Sequence, residues 1–264
     1  MVVAIVRLLL ISLISLPLWA ADNTVEVRTK GSGTEILVDQ IGAGNTARVW
    51  CGLSDGTFDT HLCTNADIDI DQTGDGNLAK AYSQFTNHSN NEYTIQQEGD
   101  NNTAYLDLDY SNNVTTITQI GNDDYAEIYM GGDNNNYIIS QTGDDFYAKM
   151  YAFGDYSDWT ITQSGTGNHN AYIKSCGNCN NNDATITQSG SGAKDGDIEF
   201  KNNSSDNNTV NLTQSGNGAH IGNILVKQGS YTVNATQSGS TNQNYTVTLD
   251  CTGTCNKTIT VNQY

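Results

Sequence analysis

Short runs of alternating apolar and polar residues recur along the chain, and each ends on one string: aliphatic-x-Gln-x-Gly. The string first reads Val38-Asp39-Gln40-Ile41-Gly42, then Ile70-Asp71-Gln72-Thr73-Gly74. Its glutamines are Gln40, Gln72, Gln97, Gln119, Gln141, Gln163, Gln188, Gln214, Gln237 and Gln263. Two residues after the first nine stand Gly42, Gly74, Gly99, Gly121, Gly143, Gly165, Gly190, Gly216 and Gly239. Successive glutamines are 32, 25, 22, 22, 22, 25, 26, 23 and 26 residues apart, a base period of 22 with loop insertions. Two and four residues before each glutamine the position is mostly apolar, as in Ile68/Ile70, Tyr93/Ile95, Tyr137/Ile139 and Trp159/Ile161. Thr, Asp, Asn and Ser fill most of the places between. A period of two marks a half-buried β-strand rather than a helix.

After each glycine a short turn leads to a second strand: Asn45-x-Ala47-x-Val49, Asn77-x-Ala79-x-Ala81 and Asn102-x-Ala104-x-Leu106. The fourth and fifth units keep Ala126-x-Ile128 and Ala148-x-Met150, and the sixth needs one extra residue to bring Ala171 and Ile173 into phase. In the last three units two phases of the second strand remain open.

A strand–turn–strand of this length cannot bury its apolar face alone, but stacked copies can. The expected fold is therefore all-β: a β-solenoid of about 22-residue units, with two parallel sheets facing each other in a cross-β-like stack. Residues 34–264 hold about nine and a half such units. Stacking puts equivalent residues ~4.8 Å apart, so inward glutamines form ladders of side-chain amides. Unpaired, each buried amide would carry a penalty of about 1–3 kcal/mol.

Composition fits this thin core. Only 36% of the 264 residues are hydrophobic and 8% aromatic, with 26 Gly, a single Pro and a net charge of −18. Low hydrophobicity with high charge ordinarily signals disorder, but ten glutamines in phase with apolar residues do not arise in a polar linker. The acid excess argues against nucleic acid, whose phosphates need a basic footprint. Residues 1–21 read as a secretory signal, with Arg7, an apolar run from Leu8 to Leu18, and a small-residue cleavage site at Ala20-Ala21; no other segment is apolar enough to span a bilayer. Cleavage removes Pro17 and takes the net charge to −19. Residues 22–33 read as a polar N-terminal segment.

The unit Gln-x-Gly-x-x-Asn-x-Ala, seen at 40–47, 72–79 and 97–104, resembles the curlin repeat, and the closing Gln263-Tyr264 is also curlin-like. The resemblance spans roughly residues 34–264. It implies a secreted, cell-surface subunit of curli-type amyloid fibres, serving biofilm matrix and cell adhesion. It further implies passage through the periplasm and an outer-membrane secretion channel, then polymerisation with itself and with related fibre subunits. The residues it implicates in stacking are the ten glutamines with Asn45, Asn77 and Asn102. The chain departs from the family where a second glutamine is common: those places hold Cys51, Leu108, Met130 and Ala152. Its number of units and its cysteines are also unusual for the family.

The cysteines form three local pairs, Cys51/Cys63, Cys176/Cys179 and Cys251/Cys255, each in a longer connection between units. A secreted context and that placement favour local disulfides; a redox or zinc role for Cys176-Gly-Asn-Cys179 stays open. Asp67, Asp69 and Asp71 alternate on one outward face, as do Asp107 and Asp109. Solubility is the favoured reading, with Ca²⁺ binding as the rival. His61, His88, His169 and His220 are expected in loops or turns. No catalytic set, metal site or cofactor is predicted, and the chain reads as a structural protein rather than an enzyme. Two binding alternatives stand beside the fibre: a monomeric solenoid gripping ice or a flat polymer through outward threonines (Thr116/Thr118, Thr160/Thr162, Thr185/Thr187), and an acidic Ca²⁺-responsive adhesin. Acidic residues crowd the middle units, so those from Gln188 onward are expected to assemble most readily.

Overall fold

The computed structural model describes residues 22–29, 35–51, 67–83, 89–107, 110–152, 157–174, 182–200, 208–227, 230–249 and 257–264. The signal segment, Cys63, Cys176, Cys179, Cys251, Cys255, His61, His88 and Asp109 lie outside these residues. Every element among them is a β-strand, and all pairings are parallel. No helix among the described residues is long and apolar enough to cross a membrane.

The protein is a β-solenoid. Its glutamine strands stack in a 12-stranded sheet. Glu35–Ile41 pairs with Asp67–Thr73, that strand with Glu92–Glu98, and so on through Val114–Ile120, Asn136–Gly143 and Asp158–Gly165 to Lys257–Gln263. Every register places glutamine on glutamine, whatever the number of residues between. In the seventh and eighth rungs the strand is interrupted, giving Asn182–Asp183 with Thr185–Gly190 and Asn208–Thr209 with Leu212–Gln214. The second strands form a 5-stranded sheet, Thr24–Thr29, Thr46–Cys51, Leu78–Ser83, Thr103–Asp107 and Tyr125–Tyr129. Beyond it the second side continues as isolated bridges from Tyr125 to Tyr147 to Asn170, and from His169 to Lys194 to His220. Short strands then pair 220–221 with 243–244 and 224–225 with 247–248.

The core is one column between the two sides. Ile70, Ile95, Ile117, Ile139, Ile161 and Ile186 line one wall, with Ala79, Leu106, Ile128 and Met150 on the other. Among the described residues it is least covered at its two ends, where Ile36, Val38, Ile259 and Val261 are only half-buried.

The structure resolves the open phase of the last units. Ile198/Phe200, Ile224/Val226 and Val247/Leu249 point inward. The extra residue of the sixth unit persists in each later one: five residues separate Gln141 from Phe146, but six separate Gln163 from its equivalent His169, Gln188 from Lys194, and Gln214 from His220. The segment 22–33 contains a strand that the alternation did not reveal. Thr24–Thr29 pairs in register with Thr46–Cys51 as a second strand of its own, half a rung ahead of Gln40.

The turn after each glutamine is closed by glycine because rungs touch there. Gly121 has φ +145°, and a Cβ on it would overlap the carbonyl oxygen of Gly143 below. Gly44, with φ +70°, is different: its nearest neighbour to such a carbon is Gly76 at 3.9 Å. Gly121→Ala is expected to lower stability by about 3 kcal/mol or more, and Gly44→Ala by about 1 kcal/mol. Thermal and denaturant unfolding of the two variants checks this; equal losses would contradict it.

Candidate assembly site: the amide ladders

The glutamine side chains point into the solenoid because their register parity is that of the isoleucines two residues before them. Gln72, Gln97, Gln119, Gln141, Gln163, Gln188, Gln214 and Gln237 are buried, while Gln40 and Gln263 at the ends are half-buried. Each amide donates through Nε2 to Oε1 of the next. The bonds are 2.7 Å from Gln40 to Gln72, 2.8 Å from Gln72 to Gln97 and 2.8 Å from Gln97 to Gln119. They continue at 2.9 Å to Gln141, 2.9 Å to Gln163, 2.8 Å to Gln188, 2.9 Å to Gln214, 2.8 Å to Gln237 and 3.0 Å to Gln263. The second amide hydrogen reaches a backbone carbonyl of the preceding rung, as from Gln141 to Tyr125 and from Gln163 to Tyr147, both 2.9 Å. An inward polar residue is thereby satisfied on both sides.

A second ladder runs through the turn. Asn45 Oδ1 accepts from the Asn77 backbone N–H at 2.9 Å, and Asn45 Nδ2 donates to the Gly74 carbonyl at 2.7 Å. Asn77 and Asn102 repeat the pattern toward Gly99 and Gly121. Asn23 belongs to the same ladder, accepting from the Asn45 N–H at 2.9 Å and donating to Gly42. A third ladder, at the opposite turn, went unread in the sequence. Asn91 Oδ1 accepts from the Asn113 N–H at 2.8 Å, Asn113 from Asn135 at 2.9 Å, and Asn135 from Ser157 at 2.7 Å. The signal was available: these residues stand six before Gln97, Gln119, Gln141 and Gln163.

Below Asn102 the turn position changes chemistry, becoming Asp124, Phe146, His169, Lys194, His220 and Gln243. This corrects the placement of two histidines. His169 and His220 are buried at inward positions rather than lying in solvated loops, because the one-residue-longer turn carries them into the asparagine place. His169 stacks on Phe146 with ring centres 4.7 Å apart. Burial, then the Lys194 charge, pulls its imidazole down to about 4, and burial also lowers His220, whose Nε2 meets the Ser215 carbonyl at 2.8 Å. Lys194 is buried with Nζ donating to the carbonyls of Gly192, Gly218 and Gly216 at 2.6, 2.8 and 3.1 Å. A cation here does the work of an amide, bonding to turn carbonyls.

Asp124 is the acid counterpart. Its Oδ1 accepts from the Phe146 N–H at 2.9 Å, as an asparagine would, but Oδ2 is buried with no partner. Where Asn45, Asn77 and Asn102 each offer a donor to the next glycine carbonyl, an ionised Asp124 offers a second acceptor. Burial, with Asp144, Asp145 and Asp123 nearby, raises its carboxyl to about 7 despite the Phe146 bond.

On the outer surface of the glutamine sheet, Asp39 stacks on Asp71, and Glu35 on Asp67 and then Glu92. Burial, then Asp71 and Asp67, raises Asp69; burial, then Asp39 and Glu98, raises Asp71. Among the described residues no group of three His, Cys, Asp or Glu is placed to hold a metal ion. The threonine rows are discontinuous: Ser140 separates Thr118 from Thr162, and Ile138 separates Thr116 from Thr160. Cys51 closes the strand Thr46–Cys51; its side chain and the other five cysteines lie outside what the structure describes.

No protein-family model matches the chain, and no curated protein matches it.

Two outcomes follow from the ladders. Gln141→Met keeps length and apolar contact but strands the Gln119 donor and the Gln163 acceptor; about 2–4 kcal/mol of stability should be lost in denaturant unfolding. For Asp124 the folded state holds its proton to about pH 7, whereas the unfolded chain releases it near 3.8. Stability should therefore fall as pH rises from about 4 to about 7, then level off. Asp124→Asn supplies the missing donor and should raise stability at pH 8 by about 2–4 kcal/mol, with little change at pH 4. Equal effects at both pH values would overturn the assignment.

Proposed function

We propose that the chain is a secreted structural subunit of an extracellular, curli-like amyloid fibre, as major or nucleating subunit, serving biofilm matrix and cell adhesion. The observation that carries this reading is the one-way glutamine ladder with both ends open. Among the described residues nothing donates to Gln40 Oε1, and beyond Gln263 Nε2 no further Oε1 follows; that nitrogen reaches only the Asn244 carbonyl, at 3.4 Å. One end of the stack offers an acceptor and the other a donor, so a second copy fits head to tail. The recurrence of the curlin-like unit Gln-x-Gly-x-x-Asn-x-Ala adds support.

The described edges are complementary in a further way. Among the described residues, the second strand Thr24–Thr29 stands ahead of Glu35–Ile41 with no first strand described in its own rung, and the first strand Lys257–Gln263 has no second strand described in its rung. Laid together, Lys257–Gln263 of one copy and Thr24–Thr29 of the next make one complete rung, with Gln263 over Gln40. Charge favours this order. The strand Glu35–Ile41 carries Glu35 and Asp39, whereas Lys257–Gln263 carries Lys257 and no carboxylate. A head-to-head contact would set Glu35 and Asp39 against themselves. Neither edge strand contains proline, so both remain competent to pair. Export through an outer-membrane channel and copolymerisation with related subunits belong to the same proposal.

The test is incubation of the signal-free protein at neutral pH with thioflavin T, electron microscopy and fibre diffraction. Fibrils with a reflection near 4.7–4.8 Å are expected, and a persistently monomeric, dye-silent protein would sink the reading. In the glutamine strands, residues one, three and five places before the glutamine direct their backbone groups toward the next rung, as the bonds from Asp67 to Asn91 and from Thr160 to Ala184 show. Thr260→Pro therefore removes an N–H that faces outward from the last strand and leaves internal bonds in place. It should slow elongation at least tenfold while the monomer keeps its β-sheet circular dichroism; growth at the original rate would refute the proposed edge.

A further inference from the structure

The outward face of the second sheet is aromatic and charged. Cations lie against its rings: Arg28 is 5.4 Å from the centre of the Trp50 ring, Lys80 4.6 Å from Tyr105, Lys149 4.9 Å from Tyr151 and Lys174 6.0 Å from Tyr172. Tyrosines also meet tyrosines from rung to rung. Tyr105 and Tyr125 have ring centres 5.8 Å apart and planes 48° apart, Tyr129 and Tyr151 5.9 Å and 74°, and Tyr151 and Tyr172 5.8 Å and 79°. One pair differs from these. Tyr125 and Tyr147 project from directly bridged residues, with ring centres 5.0 Å apart and planes only 7° apart.

We propose that Tyr125 and Tyr147 form an oxidative crosslinking site, joined as dityrosine by a one-electron oxidant of the peroxidase class acting with hydrogen peroxide. A phenoxyl radical carries its unpaired spin on the oxygen and on the carbons ortho to it, so coupling needs an ortho carbon of each ring to meet. An edge-to-face pair turns the edge of one ring to the face of the other. Near-parallel rings on adjacent rungs bring like edges together, and on an outer face side-chain rotation closes the remaining gap. Tyr147 is 38% exposed and open to an oxidant from solvent. Tyr125 is half-buried, and its hydroxyl donates to Glu127 Oε2 at 2.8 Å. Lys149 holds the same oxygen at 3.2 Å, which fixes the hydroxyl end of the ring. That hydrogen bond also gives the Tyr125 proton an acceptor as the electron leaves.

Each ring loses one electron to the oxidant and its phenolic proton to water, from Tyr125 by way of Glu127. The two radicals join through a new carbon–carbon bond. Each bonded carbon then releases its hydrogen as a proton while the oxygen regains one, restoring both phenols. One peroxide takes up the two electrons and two protons and leaves as two waters. The link falls where backbone pairing thins. Tyr125–Tyr129 is the last strand of the 5-stranded sheet, and the next contact is the isolated bridge to Tyr147. There the Tyr125 N–H meets the Phe146 carbonyl at 2.8 Å, and the Ala148 N–H meets the Tyr125 carbonyl at 3.0 Å. A covalent bond at this place holds the second side of the fifth unit onto the fourth.

The test treats the signal-free protein, dilute and freshly prepared, with a haem peroxidase and hydrogen peroxide. Dityrosine fluorescence follows the yield, and mass spectrometry of a digest maps the links. The expected main product joins Tyr125 to Tyr147 within one chain, as a peptide pair lighter by two hydrogens than the sum of its parts. It should exceed any other tyrosine pair at least threefold. Tyr147→Phe, which keeps the ring but cannot form the phenoxyl radical, should remove that link and lower the dityrosine yield at least threefold. Tyr172→Phe should leave both unchanged. A preference for Tyr105–Tyr125 or Tyr129–Tyr151, links formed mainly between chains, or a yield insensitive to Tyr147→Phe overturns the proposal. The crosslink lies within one molecule, so none of these results bears on fibre growth.

Discussion

A primary amide is a donor on one side and an acceptor on the other. Buried in a column of identical residues, it is satisfied only if every copy stands in register above the next. That constraint organises this molecule. It requires parallel strands, since an antiparallel partner would not repeat the glutamine at the rung spacing. It also pins the register against the slip that would turn a whole strand inside out. Chain length between rungs is then free to vary: 32 residues separate Gln40 from Gln72 and 22 separate Gln119 from Gln141, yet each pair lies Cα on Cα in the same sheet. The turn glycines follow from the same requirement, because rungs held this closely leave no room for a side chain where one turn lies on the next.

Those parts of the fold governed by repetition were legible from residues alone. The glutamines, the isoleucines two places before them and the first three asparagines recur at fixed offsets, and a strand period of two assigns their direction. What stayed hidden had lost its repetition while keeping its place. Asp124, Phe146, His169, Lys194 and His220 share one column with Asn45 and Asn102, but none of them carries an amide. A turn one residue longer from the sixth rung onward hides the equivalence further. His220 beside a glycine reads locally as a loop residue, and only the register shows it to be inside. Thr24–Thr29 was missed for another reason. A strand without its preceding glutamine partner lacks the string by which every other unit announces itself.

The loss of asparagine in that column coincides with the fragmentation of the second sheet. Through Asn23, Asn45, Asn77 and Asn102 the turn is tied by paired side-chain bonds and the second strands run five or six residues. After Phe146 and His169, which offer stacking instead of a two-sided amide, pairing there shrinks to single bridges and two-residue strands. The glutamine wall does not weaken in step; its bonds stay at 2.8–3.0 Å to the end of the stack. One sheet therefore carries the continuity of the solenoid, and the other tolerates variety. The aromatic and charged rows on the second sheet are an expression of that tolerance.

Because all nine glutamine bonds run the same way, the amide dipoles of the column do not cancel as those of successive backbone groups in a strand do. The solenoid thus has an electric moment along its axis, in the manner of a helix but built from side chains. Its negative pole lies at Gln40, beside Glu35, Asp39 and the aspartates of the second rung, and its positive pole at Gln263, beside Lys257. Fixed charges and aligned dipoles reinforce each other, so the dipolar part of the interaction sets orientation against the like-charge repulsion of a chain of net charge −18: it favours collinear copies end to end, and opposite directions for copies lying side by side.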